Sequence, residues 1–213
     1  MTGTGKTEII QALPTGLDLE GAANHKGSSF GRPLDEQPAQ INFENRIAID
    51  LLKVEDQHPQ SMVVLEDESR NIGARHIPHY FADRMATSQF VVIEMDFEER
   101  LERLWQEYVV ERYLKTMAYF GANGEQAFAN YLRESLLRVQ KRLGGQRTKE
   151  LMASMDNAIA IQHQDNFASH RHWLSLITKD YYDPMYNYQL DKKKELVVFR
   201  GSREAVIEWL KRG

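Results

Sequence analysis

A phosphate-binding loop motif opens the sequence. The stretch MTGTGKTEII contains Gly5, Lys6 and Thr7 in the order that closes the pattern G-x-x-x-x-G-K-[ST]. In such loops consecutive backbone N–H groups converge on an anion, the lysine adds positive charge and the Ser/Thr hydroxyl binds Mg²⁺. We expect Gly3, Thr4, Gly5 and Lys6 to cradle phosphate oxygens, with Lys6 also catalytic and Thr7 a Mg²⁺ ligand.

The motif requires one more glycine, which would fall just before Met1. The stretch is therefore either a chance match or a loop from which an upstream strand has been removed. The second interpretation predicts a sheet whose first strand is truncated.

Acidic residues follow an apolar run at the place where a magnesium-phosphate site needs them. Met62–Leu65 are apolar and lead directly into Glu66, Asp67 and Glu68. An acid at the end of a neighbouring strand commonly holds the water shell of the metal, so we expect Asp67 or Glu66 to be a metal ligand. Solvated acids at a strand end are the alternative.

Basic and hydroxyl side chains could complete the site. Arg70 follows the acids and would bind a transferred or leaving phosphate bidentately as a catalytic residue, or else form a surface ion pair with Glu66 or Glu68. The segment LDLEGAANHKGSSFGRP has no sustained period and is interpreted as a long functional loop. It contains four donor residues that would close over phosphates or grip a nucleic-acid backbone, or else satisfy one another within a structural loop: His25, Lys26, Ser28 and Ser29.

The elements that must position these residues alternate between strand and helix. Continuous apolar runs predict buried strands at 62–65, 90–94 and 196–199. Periodic apolar residues predict helices at 7–13 and 41–54, and a further helix closes the chain. The alternation predicts an α/β fold, a P-loop NTPase-like, mainly parallel sheet.

A long helical region interrupts that pattern. Three apolar stripes between 98 and 179 predict helices, with breaks at Gly121–Gly124 and Gly144-Gly145. The domain prediction is an α/β core of residues 1–96 and 190–213, with an inserted helical subdomain or lid at 97–189.

Composition excludes several classes of protein. The 213 residues are 42% hydrophobic and 27% charged, which suits a globular domain, and no window is apolar enough for a membrane span. With no cysteine, this chain has no disulfide, thiolate nucleophile or cysteine-ligated metal. We expect a cytoplasmic protein without membrane contact. A net charge of -4 argues against a general nucleic-acid coat.

Two local patterns still suit RNA. The stretch RESLLRVQKRLGGQRTK concentrates positive charge around one helix end, which is either a solvated face or an RNA-phosphate patch. Four tyrosines in DYYDPMYNYQ pack in a core, line a substrate cavity or stack on bases.

Taken together, TGTGKTE, LDLEGAANHKGSSFG, VVLEDESRNIG and YYDPMYNYQ closely resemble the C-terminal phosphate-loop domain of bacterial tRNA 2-selenouridine synthases. The resemblance spans residues 2 to about 190. In that family a rhodanese-like domain with a catalytic cysteine precedes the loop, so the resemblance implies a C-terminal portion that lacks this domain.

The resemblance implies a transferase that acts in tRNA processing, on the wobble uridine in the anticodon region of tRNA. The family converts 2-thiouridine to 2-selenouridine through an S-geranyl intermediate, with geranyl diphosphate and selenophosphate as donors. We expect Gly3 to Thr7, with Mg²⁺ held through Thr7 and Asp67, to cradle the diphosphate of geranyl diphosphate. ATP is the alternative ligand of the loop, and Phe30, Tyr182 and Tyr186 would shelter the geranyl chain.

Two other function classes stay open. The order of a strand, EMDFEERLERL and a helical lid also resembles nucleoside monophosphate kinases, in which Arg100 and Arg103 would grip phosphates. A non-catalytic RNA-binding module would need only the basic helix end and the tyrosine run.

Overall fold

A computed structural model of the chain describes residues 1–212, which form two compact units. The helical unit comprises Met1–Gly3, Ser28–Phe30 and Asp96–Lys192. The α/β unit comprises Thr4–Gly27, Gly31–Met95 and Lys193–Gly213.

Short strands and five helices make up the α/β unit. Its helices are α1 (Lys6–Gln11), α2 (Leu19–Ala23), α3 (Gln40–Gln57), α4 (His79–Ala86) and α12 (Arg203–Arg212). Its strands are β1 (Gly16–Leu17), β2 (Val64–Leu65), β3 (Asn71–Ile72), β4 (Arg75–His76), β5 (Phe90–Ile93) and β6 (Val197–Gly201), the last preceded by a 3₁₀ turn at Lys194–Leu196.

The strands pair two by two. β1 lies parallel to β2, with Gly16 opposite Val64, and β5 lies parallel to β6, with Phe90 opposite Val197. β3 and β4 form an antiparallel hairpin that the sequence did not predict, with Gly73 at φ 61° in its turn. An α/β fold with parallel pairing is confirmed, but residues 1–212 contain three two-stranded ladders instead of one continuous sheet.

The predicted long loop is partly regular. Residues 16–17 form β1, and Asp18 caps α2 by accepting a hydrogen bond from the Gly21 N–H at 2.7 Å. This short N-cap motif was missed because α2 spans only Leu19–Ala23, too few residues to show a helical period.

Two apolar clusters stabilise the α/β unit. One contains Leu17, Leu19, Phe43 and Ile72, with Val63, Leu65 and Met85 packed against it. The other contains Ile9, Leu13 and Val206, with Val64, Val91 and Ile93 among the side chains packed against it. Each predicted apolar run therefore contacts a core, but none is a fully buried strand: β2 and β5 are half-buried, and Met62 and Val198 are exposed.

The helical unit is a bundle of seven α-helices with two π-helical segments. The helices are α5 (Phe97–Trp105), α6 (Arg112–Phe120), α7 (Gly124–Leu137), α8 (Gln140–Leu143), α9 (Gly145–Ile161), α10 (His170–Ile177) and α11 (Asp183–Lys192). The π segments are Gln106–Glu111 and Thr178–Tyr182, and a 3₁₀ turn covers Gly121–Asn123. Gly121 and Gly144 have positive φ at the predicted breaks, which confirms them.

Phe30 completes the core of the helical unit. Its ring stacks on Trp173 with centroids 5.4 Å apart and also contacts Tyr108 and Tyr131. Phe30 and Trp173 are both fully buried. Three residues of a distant loop thus supply a central side chain of this bundle.

Candidate functional site

The phosphate-loop residues of the α/β unit begin helix α1. Gly5 has φ 74° and ψ 32°, a left-handed conformation that a residue with a side chain adopts at a cost, and α1 starts at Lys6. The Ile9 N–H donates to the Gly5 carbonyl at 3.2 Å, and Ile9 and Ile10 are buried. The buried apolar side of α1 therefore fixes the position of Lys6 and Thr7, the first two residues of the helix. Gly3 belongs to the helical unit.

Glu20 accepts a hydrogen bond from the hydroxyl of Thr7, the predicted metal ligand of the motif. The Thr7 hydroxyl donates to Glu20 Oε2 at 3.1 Å, and the Gly27 N–H donates to Glu20 Oε1 at 2.6 Å. Helix α2 carries Glu20 in its first turn, so the cap at Asp18 positions this carboxylate. Glu20 thereby joins the phosphate loop to the donor-rich loop.

Glu68 lies against the same carboxylate. Burial first, and then the charge of Glu20, raise the pKa of Glu68 to about 7, although Lys6 opposes the shift. A Cβ atom on Gly27 would overlap the Glu68 carboxyl group, so glycine at this position allows the close approach. Two carboxyls and one lysine therefore share a confined space beside the loop.

Glu66 is buried at the end of β2. Its Oε2 accepts from the Leu19 N–H at 3.2 Å, and its Oε1 has no hydrogen-bond partner among the described residues. Burial is the main cause that raises the pKa of Glu66 to about 8. At neutral pH this side chain is therefore largely protonated, whereas a metal ligand must be ionised.

Asp67 and Arg70, which the sequence predicts as site residues, form ion pairs with Lys193 and Asp83. Asp67 Oδ1 accepts from Lys193 Nζ at 2.6 Å. Arg70 forms an exposed ion pair with Asp83, 3.5 Å between Nη2 and Oδ1, where the sequence suggested Glu66 or Glu68 as its partners. Neither Asp67 nor Arg70 therefore interacts with Glu20, Glu66 or Glu68 through these ion pairs.

The four donors of the long loop are divided between the units. The His25 N–H donates to the Glu20 carbonyl, and the Lys26 N–H donates to the Gly31 carbonyl, both at 3.0 Å. In the helical unit the Ser28 hydroxyl is hydrogen bonded to the Tyr108 hydroxyl at 2.9 Å. The Ser29 hydroxyl is likewise bonded to Tyr182, at 2.6 Å. The two serines thus anchor the loop segment to buried tyrosines.

The apolar residues suggested for a prenyl chain are mostly core residues. Phe30 and Tyr182 are buried in the helical unit, and Tyr186 packs against the same cluster. Of the other tyrosines in that run, Tyr188 is exposed. Core packing, which the sequence left open, accounts for Tyr182.

Arginines on which the kinase and RNA-binding interpretations depend interact with other groups of the protein. Arg100, a phosphate ligand in the kinase interpretation, is buried and bonded to both carboxylate oxygens of Asp183 at 2.7 Å. In the basic helix stretch, four arginines bind protein groups: Arg133 pairs with Asp156, Arg138 with Glu134, Arg147 with Asp180 and Glu150, and Arg142 lies 4.0 Å from the Met185 sulfur. This stretch is therefore less positive than its composition suggests.

The site that emerges is a lysine, a hydroxyl and three carboxyl groups in the α/β unit: Lys6, Thr7, Glu20, Glu66 and Glu68. The sequence identified Lys6, Thr7 and Glu66 as site residues but missed Glu20 and Glu68. Glu20 lies in the segment LEG of the predicted loop. Its contact with Thr7 depends on helix α2, which the sequence did not predict. Oxygen ligands of this kind suit Mg²⁺. Within residues 1–212, however, no three His, Asp or Glu side chains are grouped closely enough to hold a metal by themselves.

No helix among residues 1–212 is both long and apolar enough to cross a bilayer.

Comparison with known proteins gives a consistent family match. A family model described as "tRNA 2-selenouridine synthase AAA domain" matches residues 1–213. The chain is 45% identical over 215 residues to a protein of Shewanella frigidimarina (strain NCIMB 400) named tRNA 2-selenouridine synthase. It is 45% identical over 212 residues to proteins of the same name from Salmonella enteritidis PT4 and Salmonella typhimurium LT2. In each case 99% of this chain matches 58% of the relative. No solved structure matches.

Proposed function

Because the chain belongs to the family described as the tRNA 2-selenouridine synthase AAA domain, we propose that it is the diphosphate- and tRNA-binding part of a tRNA-modifying transferase. In this proposal the whole enzyme converts the wobble 2-thiouridine to 2-selenouridine through an S-geranyl intermediate. Geranyl diphosphate and selenophosphate are its donors.

The observation that carries the proposal is the start of α1. The left-handed Gly5 turns the backbone so that Lys6 and Thr7 open a helix. Backbone N–H groups at such a turn carry partial positive charge and suit an anion, and Lys6 adds a full charge. This arrangement fits a diphosphate, and the nearby Glu66 and Glu68 limit repulsion because their raised pKa values favour the neutral form.

The chemistry needs charge neutralisation more than proton transfer. The thiouridine sulfur would attack C1 of the geranyl group, and a C–S bond would form while the C–O bond to diphosphate breaks with its electron pair going to oxygen. The N3–H proton of the thiouridine base would pass to solvent, which leaves the S-geranyl base neutral. Lys6 and the backbone N–H groups would stabilise the charge on the departing diphosphate. Mg²⁺, when bound, would add further positive charge, and Thr7 would exchange Glu20 for the metal.

In this proposal, another part of the whole enzyme transfers selenium. If a cysteine carries selenium in this family, residues 1–213 cannot perform that step, because they contain no thiol. This chain's contribution would then be the geranyl step and the binding of tRNA.

Calorimetric titration of the chain with geranyl diphosphate and Mg²⁺ tests the proposal. We expect Lys6→Ala to weaken binding about tenfold or more, because a hydrogen bond to a charged group is lost. Lys53→Ala, which removes an exposed lysine of α3 that pairs with Asp50, is the control and should leave the affinity unchanged.

Two outcomes would contradict the proposal. The first is equal affinity for geranyl diphosphate in the Lys6→Ala variant and in the unmodified chain. The second is tight ATP binding with ADP release that depends on an acceptor, which would favour a kinase.

A further inference from the structure

Helix α8 of the helical unit carries two exposed cations without a carboxylate partner. Lys141 and Arg142 are exposed, and within residues 1–212 neither forms an ion pair, in contrast to Arg138 and Arg147 of the same stretch. The stretch 138–149 contains five Lys and Arg residues and no acid. Part of its positive charge therefore stays available at the surface.

Arg142 connects this charge to helix α11. Its Nη1 lies 4.0 Å from the Met185 sulfur, and α8 also contacts the π segment that precedes α11. Residues three, four and seven positions apart lie on one side of a helix, so Tyr188 and Lys192 follow Met185 along the same side of α11. At a rise of 1.5 Å per residue, this row is about 10 Å long.

The row ends in a lysine that lies over a tyrosine ring. Lys192 Nζ is 4.2 Å from the centroid of the Tyr188 ring, and Tyr188 is 59% exposed. The cation–π contact favours one orientation of this exposed ring. An oriented aromatic ring beside cations is an arrangement on which an unpaired base can stack.

The neighbouring acids do not neutralise the row. Asp180 accepts from Arg147, and Asp183 accepts from Arg100. Asp191 immediately precedes Lys192 and therefore lies about 100° away from it around the helix. The row presents positive charge to an approaching polyanion.

We propose that this surface binds unpaired RNA through four residues: Lys141, Arg142, Tyr188 and Lys192. The three cations neutralise backbone phosphates, and the Tyr188 ring stacks on a base. The inference rests on the tRNA-binding part of the proposed function and locates it in the helical unit. The whole chain has a net charge of -4 and repels a polyanion, so binding needs such a local group of cations.

Binding of a fluorescent oligouridine of about ten nucleotides to the full chain tests the charges. The patch variant, Lys141→Ala/Arg142→Ala/Lys192→Ala, should bind at least tenfold more weakly at about 0.1 M salt, because fewer counterions are released from the RNA. The slope of log Kd against log salt concentration should fall by about 2, which corresponds to three phosphate contacts at roughly 0.7 each.

The matched control variant, Arg46→Ala/Lys53→Ala/Arg84→Ala, removes three exposed cations of the α/β unit and changes the net charge equally. It should bind oligouridine like the unmodified chain. Both variants should keep their affinity for geranyl diphosphate, which separates this surface from the Lys6 site. Equal oligouridine affinity in the two variants, or no binding by the unmodified chain, would overturn the proposal and leave the assignment of Lys6 intact.

Substitution of Tyr188 tests the stacking. Tyr188→Ala should weaken oligouridine binding about fivefold or more without changing the salt slope, and Tyr188→Trp should restore it. Unchanged affinity in Tyr188→Ala, or equally tight binding of a paired RNA of the same length, would contradict stacking on an unpaired base. Binding to phosphatidylserine vesicles that the patch variant loses, without binding of oligouridine, would assign the surface to a membrane instead.

Discussion

Thr7 and Glu20 are joined by a hydrogen bond of 3.1 Å, so the hydroxyl that we predict to be a Mg²⁺ ligand donates to a carboxylate. The same carboxylate accepts from the Gly27 N–H. Glu20 therefore controls both the Thr7 hydroxyl and the electrostatics of the neighbouring carboxyls.

Replacing Glu20 by glutamine should lower the pKa of Glu68. Burial is the first cause of that raised pKa, of about 7, and the charge of Glu20 is the second. Without this charge the pKa should fall, while burial keeps it above the ordinary value of 4.5. Carbon-13 NMR titration of the Glu68 carboxyl measures the change. Glu55→Gln on the exposed side of α3 is the control, and an identical Glu68 titration in both variants would show that Glu20 has no electrostatic effect.

Glu66 should make the α/β unit less stable as the pH rises. Its pKa is about 8 in the folded protein against an ordinary 4.5, so between these values the folded state holds a proton that the unfolded state has lost. The contribution of Glu66 to the free energy of unfolding is present below pH 4.5 and declines as pH rises through 8, by at most about 1.4 kcal/mol per pH unit.

The Glu66→Gln variant should lack this pH dependence. Urea unfolding at several pH values, followed by hydrogen exchange of the α3 amides in the α/β unit, measures it. Parallel stability curves for Glu66→Gln and the unmodified chain between pH 5 and pH 8 would refute the assignment.

His170 should have the opposite effect in the helical unit. It is buried, the Trp173 indole N–H donates to its Nδ1 at 2.9 Å, and burial is the main cause that lowers its pKa to about 4. Between pH 4 and the ordinary value of 6.5 the unfolded state binds a proton that the folded state does not. The free energy of unfolding should therefore fall as pH is lowered through this window.

Near-UV circular dichroism of a Trp209→Phe variant isolates this effect, because the remaining tryptophans, Trp105 and Trp173, belong to the helical unit. Its acid destabilisation between pH 6.5 and pH 4 should be weaker in a variant that also carries His170→Gln. No difference between the two proteins would remove His170 as the cause.

Breaking the Arg100–Asp183 pair should strongly destabilise the helical unit. Two 2.7 Å hydrogen bonds join the side chains, and only 5% of the arginine side chain is exposed. Asp183→Asn leaves a buried guanidinium without its charge partner, so we expect a loss of about 3–5 kcal/mol in the free energy of unfolding. The exposed Arg46–Asp50 pair is the control, where Asp50→Asn should cost less than about 1 kcal/mol. Similar losses for both variants would contradict the role of burial.

The sequence predicted the elements well where the pattern was long. The helix at 41–54 corresponds to α3, and the run at 90–94 corresponds to β5, because periodic or continuous apolar residues face a core. The hairpin of β3 and β4 was missed because each strand has two residues, too few for any alternation.

The site was only partly predictable, for a different reason. Lys6 and Thr7 follow from a local motif, whereas the contact of Thr7 with Glu20 depends on how α2 is placed. Likewise, Ser28 and Ser29 were equally plausible as ligand donors or as structural residues. Their partners Tyr108 and Tyr182 lie far away in the chain, where no local pattern identifies them.

Phe30 imposes an order of events on synthesis. It leaves the ribosome long before Trp173, the ring on which it stacks, so the nascent helical unit cannot complete its core until most of the chain has emerged. A polypeptide of residues 96–192 would lack the Phe30 ring and should fold with a cavity in its core. The helices are thus not an autonomous module that could be transplanted on their own, because one of their central rings is encoded upstream.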